Sequence, residues 1–271
     1  MTRRTASYKL QVTSSKRGAP FVTWNLELGT FVLAVVLFSM AQPAPHASGG
    51  QASSDERLAG WRLLFDGSTT QGWRGFKKPA FPAQGWLVES GMLKHVASGG
   101  QQTADSVDII TLDTFADFDL RFEWRVAPGS NSGVKYLVTE EREGPIAHEY
   151  QLIDDERHPD AKVGAHRSTA ALYDVIAAPA SKRLNPAGAF NEGRIVVSGT
   201  HVEHWLNGTK LIEYELGSRD LIAAKSRSKF KDVPGWGQKL RGHILLQDHG
   251  DEVWFRNIRL RVLPAPSVAN F

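Results

Sequence analysis

From residue 61 onward, hydrophobic and polar positions alternate with a period of two. DLRFEWRV (119–126) puts Leu120, Phe122, Trp124 and Val126 on one side and Arg121, Glu123 and Arg125 on the other, the pattern of a half-buried strand. HVEHWLNGTKLIEYEL (201–216) reads as two strands joined at Asn207-Gly208, residues that tolerate positive φ in a tight hairpin. GRIVVSG (193–199) supplies a strand just before it. WLVESGMLKHV (86–96) is a strand–turn–strand bent at Ser90-Gly91, and VWFRNIRLRV (253–262) closes the series. SRDLIAAKSRSKF (218–230) predicts one short helix, and no long stretch shows apolar residues at helical spacing. Many short strands with turn signals between them predict an all-β sandwich or barrel. Two packed sheets would bury Trp61, Trp73, Trp86, Trp124, Trp205, Trp236 and Trp254. Strand patterning is missing at 110–118 and over 158–193; the latter is a long loop within one domain, the kind that usually carries function.

The 271 residues, 41% hydrophobic, suffice for one large domain. The net charge of +3 misleads: residues 1–54 hold Arg3, Arg4, Lys9, Lys16 and Arg17 against Glu27, a balance of +4, so the rest sums to −1. No basic face argues for nucleic acid as a partner. The absence of cysteine excludes disulfides, thiolate nucleophiles and Cys-ligated metals.

Residues 1–40 read as an export signal. A basic region precedes the apolar run Phe31–Phe38, which is short for a membrane span, and a small-residue stretch follows. The expectation is a periplasmic or extracellular protein. Membrane contact would come only through that segment if it stays uncleaved. Residues 41–57 fit a flexible linker, 58–264 the folded domain and 265–271 a tail.

Two stretches break the apolar pattern in ways that suggest chemistry. In HEYQLIDDE (148–156), a strand would place Glu149, Gln151 and Ile153 on one face and His148, Tyr150 and Leu152 on the other. Glu149 and Gln151 then line a groove or, more plainly, face solvent. In GHILLQDHG (242–250), an apolar run ends in Gln247, Asp248 and His249. That is either a polar turn or one wall of a site with Asp248 or His249 as acid or base. GSNSGVKY (129–136) reads as a turn and bulge before an edge strand, or as a groove rim whose Asn131 and Lys135 contact substrate. Tyr173, in ALYDV, would stack on a sugar or plug the end of the sandwich. No cofactor is called for. A divalent metal has oxygen and imidazole ligands available but no pattern: His201 and His204 would face opposite ways on a strand, as would His148 and Glu149.

LLFDGSTTQGW, DFDLRFEWRVAPGSNSGVKY, EYQLIDD, ALYD, FNEGRIVVSG, HWLNG and GHILLQDHGDEVWFRNIRL together resemble the 3-keto-disaccharide hydrolase domain family, over about 58–263. The resemblance implies a concanavalin-A-like jelly roll of two antiparallel sheets with a sugar-binding face, acting on glycosides oxidised at C3. Phe190-Asn191 departs from the family's usual Trp-Asn, which would alter one wall of the site. Lys135 occupies a variable place in its segment. A ketone at C3 acidifies the C2 proton, so a base can form the enolate, the aglycone leaves C1, and water adds. On this reading Glu149 is the base, His249 the acid or enolate donor and Asp248 its orienting partner, while Gln151, Asn131 and Tyr173 position hydroxyls. An ordinary glycosidase would instead pair Glu149 with Asp154 or Asp248 across the bond. A non-catalytic carbohydrate-binding jelly roll is the alternative to an enzyme.

Overall fold

The structure, a computed structural model, describes residues 59–99 and 107–265. The expected signal and linker, and all but the first residue of the tail, lie outside the described residues. Among the described residues, thirteen strands form two antiparallel sheets. The larger sheet runs in the order β11 (Thr209–Glu215), β10 (His201–Leu206), β9 (Asn191–Ser198), β6 (Phe118–Val126), β13 (Val253–Val262), β4 (Met92–His95) and β3 (Trp86–Glu89), with β1 (Trp61–Leu63) also on β13. The smaller runs β2 (Trp73–Gly75), β5 (Ile109–Thr111), β12 (His243–Leu246), β7 (Asn131–Val138) and β8 (His148–Ile153). Among the described residues one α-helix, α1 (Arg219–Lys225), follows β11, capped by the Ser218 side chain, and two short 3-10 helices (Pro159–Lys162 and Ala165–Arg167) lie in the long loop.

The core lies between the sheets. Phe118, Leu120, Phe122 and Trp124 of β6 and Ile195 and Val197 of β9 meet Val134, Tyr136, Tyr150, Leu152, Ile244 and Leu246 of the smaller sheet. Strand alternation follows: β6 buries every second residue, as its sequence predicts. Ser90 (φ 50) with Gly91 (φ 75), and Asn207 (φ 47) with Gly208 (φ 78), make two-residue turns with both residues left-handed. That backbone matches strand twist, so both predicted hairpins form where expected.

Four expectations change. Residues 109–111 are a strand despite their weak pattern, because both faces of β5 are covered. β7 is an interior strand, hydrogen-bonded to β12 and β8, not an edge. Trp61, Trp205 and Trp254 lie only partly buried on the outer face of the larger sheet, under the guanidinium groups of Arg121, Arg194 and Arg125. Phe190 joins that layer beneath Arg256 and Arg125, so its difference from tryptophan alters the back of the sandwich rather than a site wall.

Candidate active site

Alternation on β7 and β8 puts Tyr136, Tyr150 and Leu152 into the core and therefore turns Asn131, Lys135, Glu149 and Gln151 to the opposite face. The antiparallel register sets Lys135 across from Glu149 and Gly133 across from Gln151. This face is not open to solvent: Glu149 is 5% exposed and Gln151 1%. The long loop covers it by extending the sheet. Its Ala170 N–H donates to the Gln151 carbonyl (2.9 Å), its Ala171 carbonyl accepts from Gln151 N–H (3.2 Å), and its Tyr173 N–H donates to the Glu149 carbonyl (3.0 Å). The free edge of β8 is thereby paired, and the side chains beside it are walled in.

Gly133 leaves space that Glu149 fills. A Cβ there would fall against Glu149 Oε1 and 3.0 Å from its Cγ and Cδ. The carboxylate thus leans along the sheet, with Oε2 3.9 Å from Lys135 Nζ. Beyond it, the amides of Gln151 and Asn131 lie 3.1 Å apart, and Asn131 lies 3.3 Å from His249 Nε2. One sense of this chain satisfies the carboxylate. The Gln151 NH₂ faces Glu149 Oε1 and the Ser132 carbonyl (3.3 Å each), and its carbonyl faces the Asn131 amide. Asn131 must then turn its NH₂ to Gln151 and its carbonyl to His249, so His249 carries its proton on Nε2. Gln247 reaches the same face from β12 by donating its backbone N–H to Gly133 (3.0 Å), and its Oε1 is buried without a partner.

A hollow of about 360 Å³ opens beside Glu149. It is lined by Lys135, Glu149, Lys229 and Gln247 on one side and by Ile146, Phe230 and Val233 on the other. Lys229 Nζ lies 4.1 Å over the Tyr173 ring. Crowding by the surrounding protein lowers the Lys229 pKa, opposed by Glu149, although much of the residue is open to solvent. Tyr173 donates its hydroxyl to Asp160 (2.8 Å), which with Asp174 holds Arg167 (2.7 and 2.6 Å). With cations already over its ring, Tyr173 is part of the loop's packing rather than an open stacking platform. A second hollow, of about 310 Å³, lies at the ends of β6 and β8 beside Leu184 and Asn185; none of the acid–base groups around Glu149 lines it.

Two expected site residues have other work. Asp248 places its carboxylate 2.9 Å from His95 Nε2 and accepts N–H bonds from Val107 and Gly250. Burial opposes the His95 cation, but Asp248 and the Asp251 carbonyl outweigh it and raise the His95 pKa; the same pairing lowers that of Asp248 against its own burial. The carboxylate facing His249 is instead Asp251, 3.6 Å from Nδ1. Asp154 caps the turn after β8, accepting from Gly129, Glu156 and Arg157. Neither Asp154 nor Asp248 is spare to form a glycosidase pair with Glu149.

The structure adds residues that periodicity did not single out: Lys229 and Phe230 after α1, Asp108 before β5, and His158 with Asp251 beside His249. Asp108 is buried, and burial, followed by the charges of Glu149 and Asp248, raises its pKa against Lys135 and an N–H from Asp248. His158, His249 and Asp251 bring three ligand atoms within 4.8 Å of one another. A second such group, His201, Glu203 and Glu213, is already tied up with Lys210, Trp205 and Glu215.

A two-sheet sandwich with buried acid–base groups on one outer face and an apolar-walled hollow beside them belongs to the jelly-roll, glycosyl-hydrolase-like class. Solved structures agree. A Parabacteroides distasonis protein assigned as a glycosyl hydrolase superposes with a TM-score of 0.71 at 30% identity, covering 80% of this chain and 100% of that one. A second from the same organism gives 0.57 at 25% identity, covering 75% and 99%. A 3-keto-disaccharide hydrolase of Bacteroides thetaiotaomicron is 39% identical over 230 residues, 75% of this chain and 79% of that protein. The chain belongs to the 3-keto-alpha-glucoside-1,2-lyase-like domain family, whose model matches residues 60–261.

Proposed function

We propose that this protein is a carbohydrate-active hydrolase that cleaves 3-keto-glycosides by removing the C2 proton, expelling the aglycone from C1 and adding water. The observation that carries the reading is the convergence, from β7, β8 and the turn after β12, of Glu149, Lys135, Gln151, Asn131, Gln247 and His249 on one walled-in face.

Glu149 is the base. Its carboxylate is held by Gln151 on one side and Lys135 on the other, so it is fixed without being neutralised by a short ion pair. The C2 proton passes to Glu149, and the electron pair moves into the C2–C3 bond as the ketone becomes an enolate. Positive and donor groups near that oxygen lower the barrier most, because the charge develops only there. As the enolate collapses, the C1–O bond breaks and its electron pair leaves with the aglycone oxygen. Lys229, whose ammonium is made more acidic by crowding, gives that oxygen its proton. The aglycone lies against Ile146, Phe230 and Val233. Water then adds across C1 and C2 to complete hydrolysis. The relative in Bacteroides thetaiotaomicron, named a 3-keto-disaccharide hydrolase, supports the substrate class.

The test is to incubate the purified protein with a 3-keto-glycoside and with its unoxidised parent. Cleavage of the ketone alone is expected. Equal cleavage of both refutes the keto-directed mechanism, and tight binding with no cleavage of either makes the protein a carbohydrate-binding module.

A further inference from the structure

The Nδ1 nitrogen of His249 is buried and has no hydrogen-bond partner. Were it an N–H aimed at Asp251, a bond near 2.8 Å would be expected, and the separation is 3.6 Å. The amide chain explains the gap. An ionised Glu149 turns Gln151, Gln151 turns Asn131, and the Asn131 carbonyl takes the Nε2 proton of His249. Nδ1 is left as a lone pair facing a carboxylate, two acceptors with no donor between them. Buried acceptors so arranged want a cation.

We propose that His249 Nδ1, Asp251 and His158 form a binding site for one divalent first-row transition-metal ion at the end of the sugar face. Two imidazoles and a carboxylate suit this class of ion. Ligands about 2.1 Å from a tetrahedral ion stand roughly 3.4 Å apart, so the His249–Asp251 pair, at 3.6 Å, is almost set. Asp251 is further fixed by the Asn131 N–H, 2.9 Å from its Oδ2. His158 is the adjustable ligand. Its Nδ1 now accepts the Asp160 N–H at 3.1 Å, and the ring must turn and release that bond to bind. Three protein ligands leave positions open to substrate oxygens. The site stands independently of the 3-keto-glycoside reading.

The experiment strips the full-length protein with chelator and titrates it with Co(II), followed by calorimetry and visible absorption. One ion per chain is expected, with a ligand-field band. His249→Gln and Asp251→Asn should weaken binding tenfold or more, and His158→Ala less than either. Asp251→Asn keeps an acceptor for the Asn131 N–H, and thermal unfolding shows whether each variant is folded. His201→Gln, in the other histidine–glutamate group, should bind as the wild type does. No binding by the folded wild type, or equal binding by the His249 and Asp251 variants, overturns the site. Binding that follows this pattern without any turnover of a 3-keto-glycoside upholds the site and refutes the reaction instead.

Discussion

Gly133→Ala moves the proposed base without removing it. The new methyl carbon would press on Glu149 Oε1 and stand 3.0 Å from Cγ and Cδ, where ordinary contact begins at 3.4 Å. The carboxylate must shift by about 1 Å, and a displacement of that size typically costs ~10²-fold in rate, or about 2.7 kcal/mol of transition-state stabilisation at about 1.36 kcal/mol per tenfold. Stability should barely change. Gly133 has ordinary extended backbone, the clashing atoms belong to a side chain that can yield, and replacing glycine within a strand recovers about 0.5–1 kcal/mol. Steady-state kinetics on a 3-keto-glycoside should therefore show kcat down about a hundredfold with the melting temperature within a few degrees of wild type. In a Glu149→Gln background the same change should add almost nothing, since both act through one group. A kcat within threefold of wild type refutes the placement of the acting carboxylate over Gly133. Additivity with Glu149→Gln would mean that Gly133 matters for another reason.

Lys229→Met should slow release of a sugar aglycone by ~10²–10⁴-fold while leaving a nitrophenyl aglycone, which needs no proton, nearly untouched; equal losses on both would remove Lys229 as the acid. Asp248→Ala leaves His95 buried without its carboxylate and should cost about 3–5 kcal/mol in urea unfolding. If Asp248 instead served His249, turnover per folded molecule would fall with little loss of stability. His148 and His204 are fully buried, and burial lowers their pKa values from 6.5 to about 3 and about 4. The folded values lie below the unfolded ones, so below about pH 6.5 the unfolded chain binds protons that the native state refuses. Stability should fall with acidification by up to about 1.4 kcal/mol per pH unit for each histidine. His204→Gln should reduce the total slope between pH 6 and 5 by about 1.2 kcal/mol per pH unit, measured by denaturant titration; an unchanged slope would mean that His204 is not held neutral.

How much of this was legible in the sequence depended on whether the signal was local. Alternation placed β6, β10 and β13 correctly and put Glu149 and Gln151 on one face, because a strand's pleat dictates that whatever the neighbours do. The Gln247-Asp248-His249 triplet was legible only in part. Its first and third residues reach the face that carries Glu149, while Asp248 turns to His95, a partner that no pattern around residue 248 could reveal. Glu149 and Gln151 looked solvent-facing by composition because the loop that buries them pairs with β8 through backbone groups, which carry no side-chain signature. The aromatic residues misled for a related reason. Trp61 and Trp254 fit a core by type, and only arginines distant in the chain make the outer face habitable for them. Lys229, Asp108 and His158 reach the site from three separate connections, and their convergence exists only in the folded chain.

The central claim, that Glu149 removes a proton from C2 of a ketone-bearing sugar, is tested most directly by proton NMR of the reaction run in D₂O. The account predicts that the 3-keto sugar released by the wild-type protein carries deuterium at C2, and that Glu149→Gln neither cleaves nor exchanges. Cleavage or C2 exchange undiminished in Glu149→Gln contradicts it.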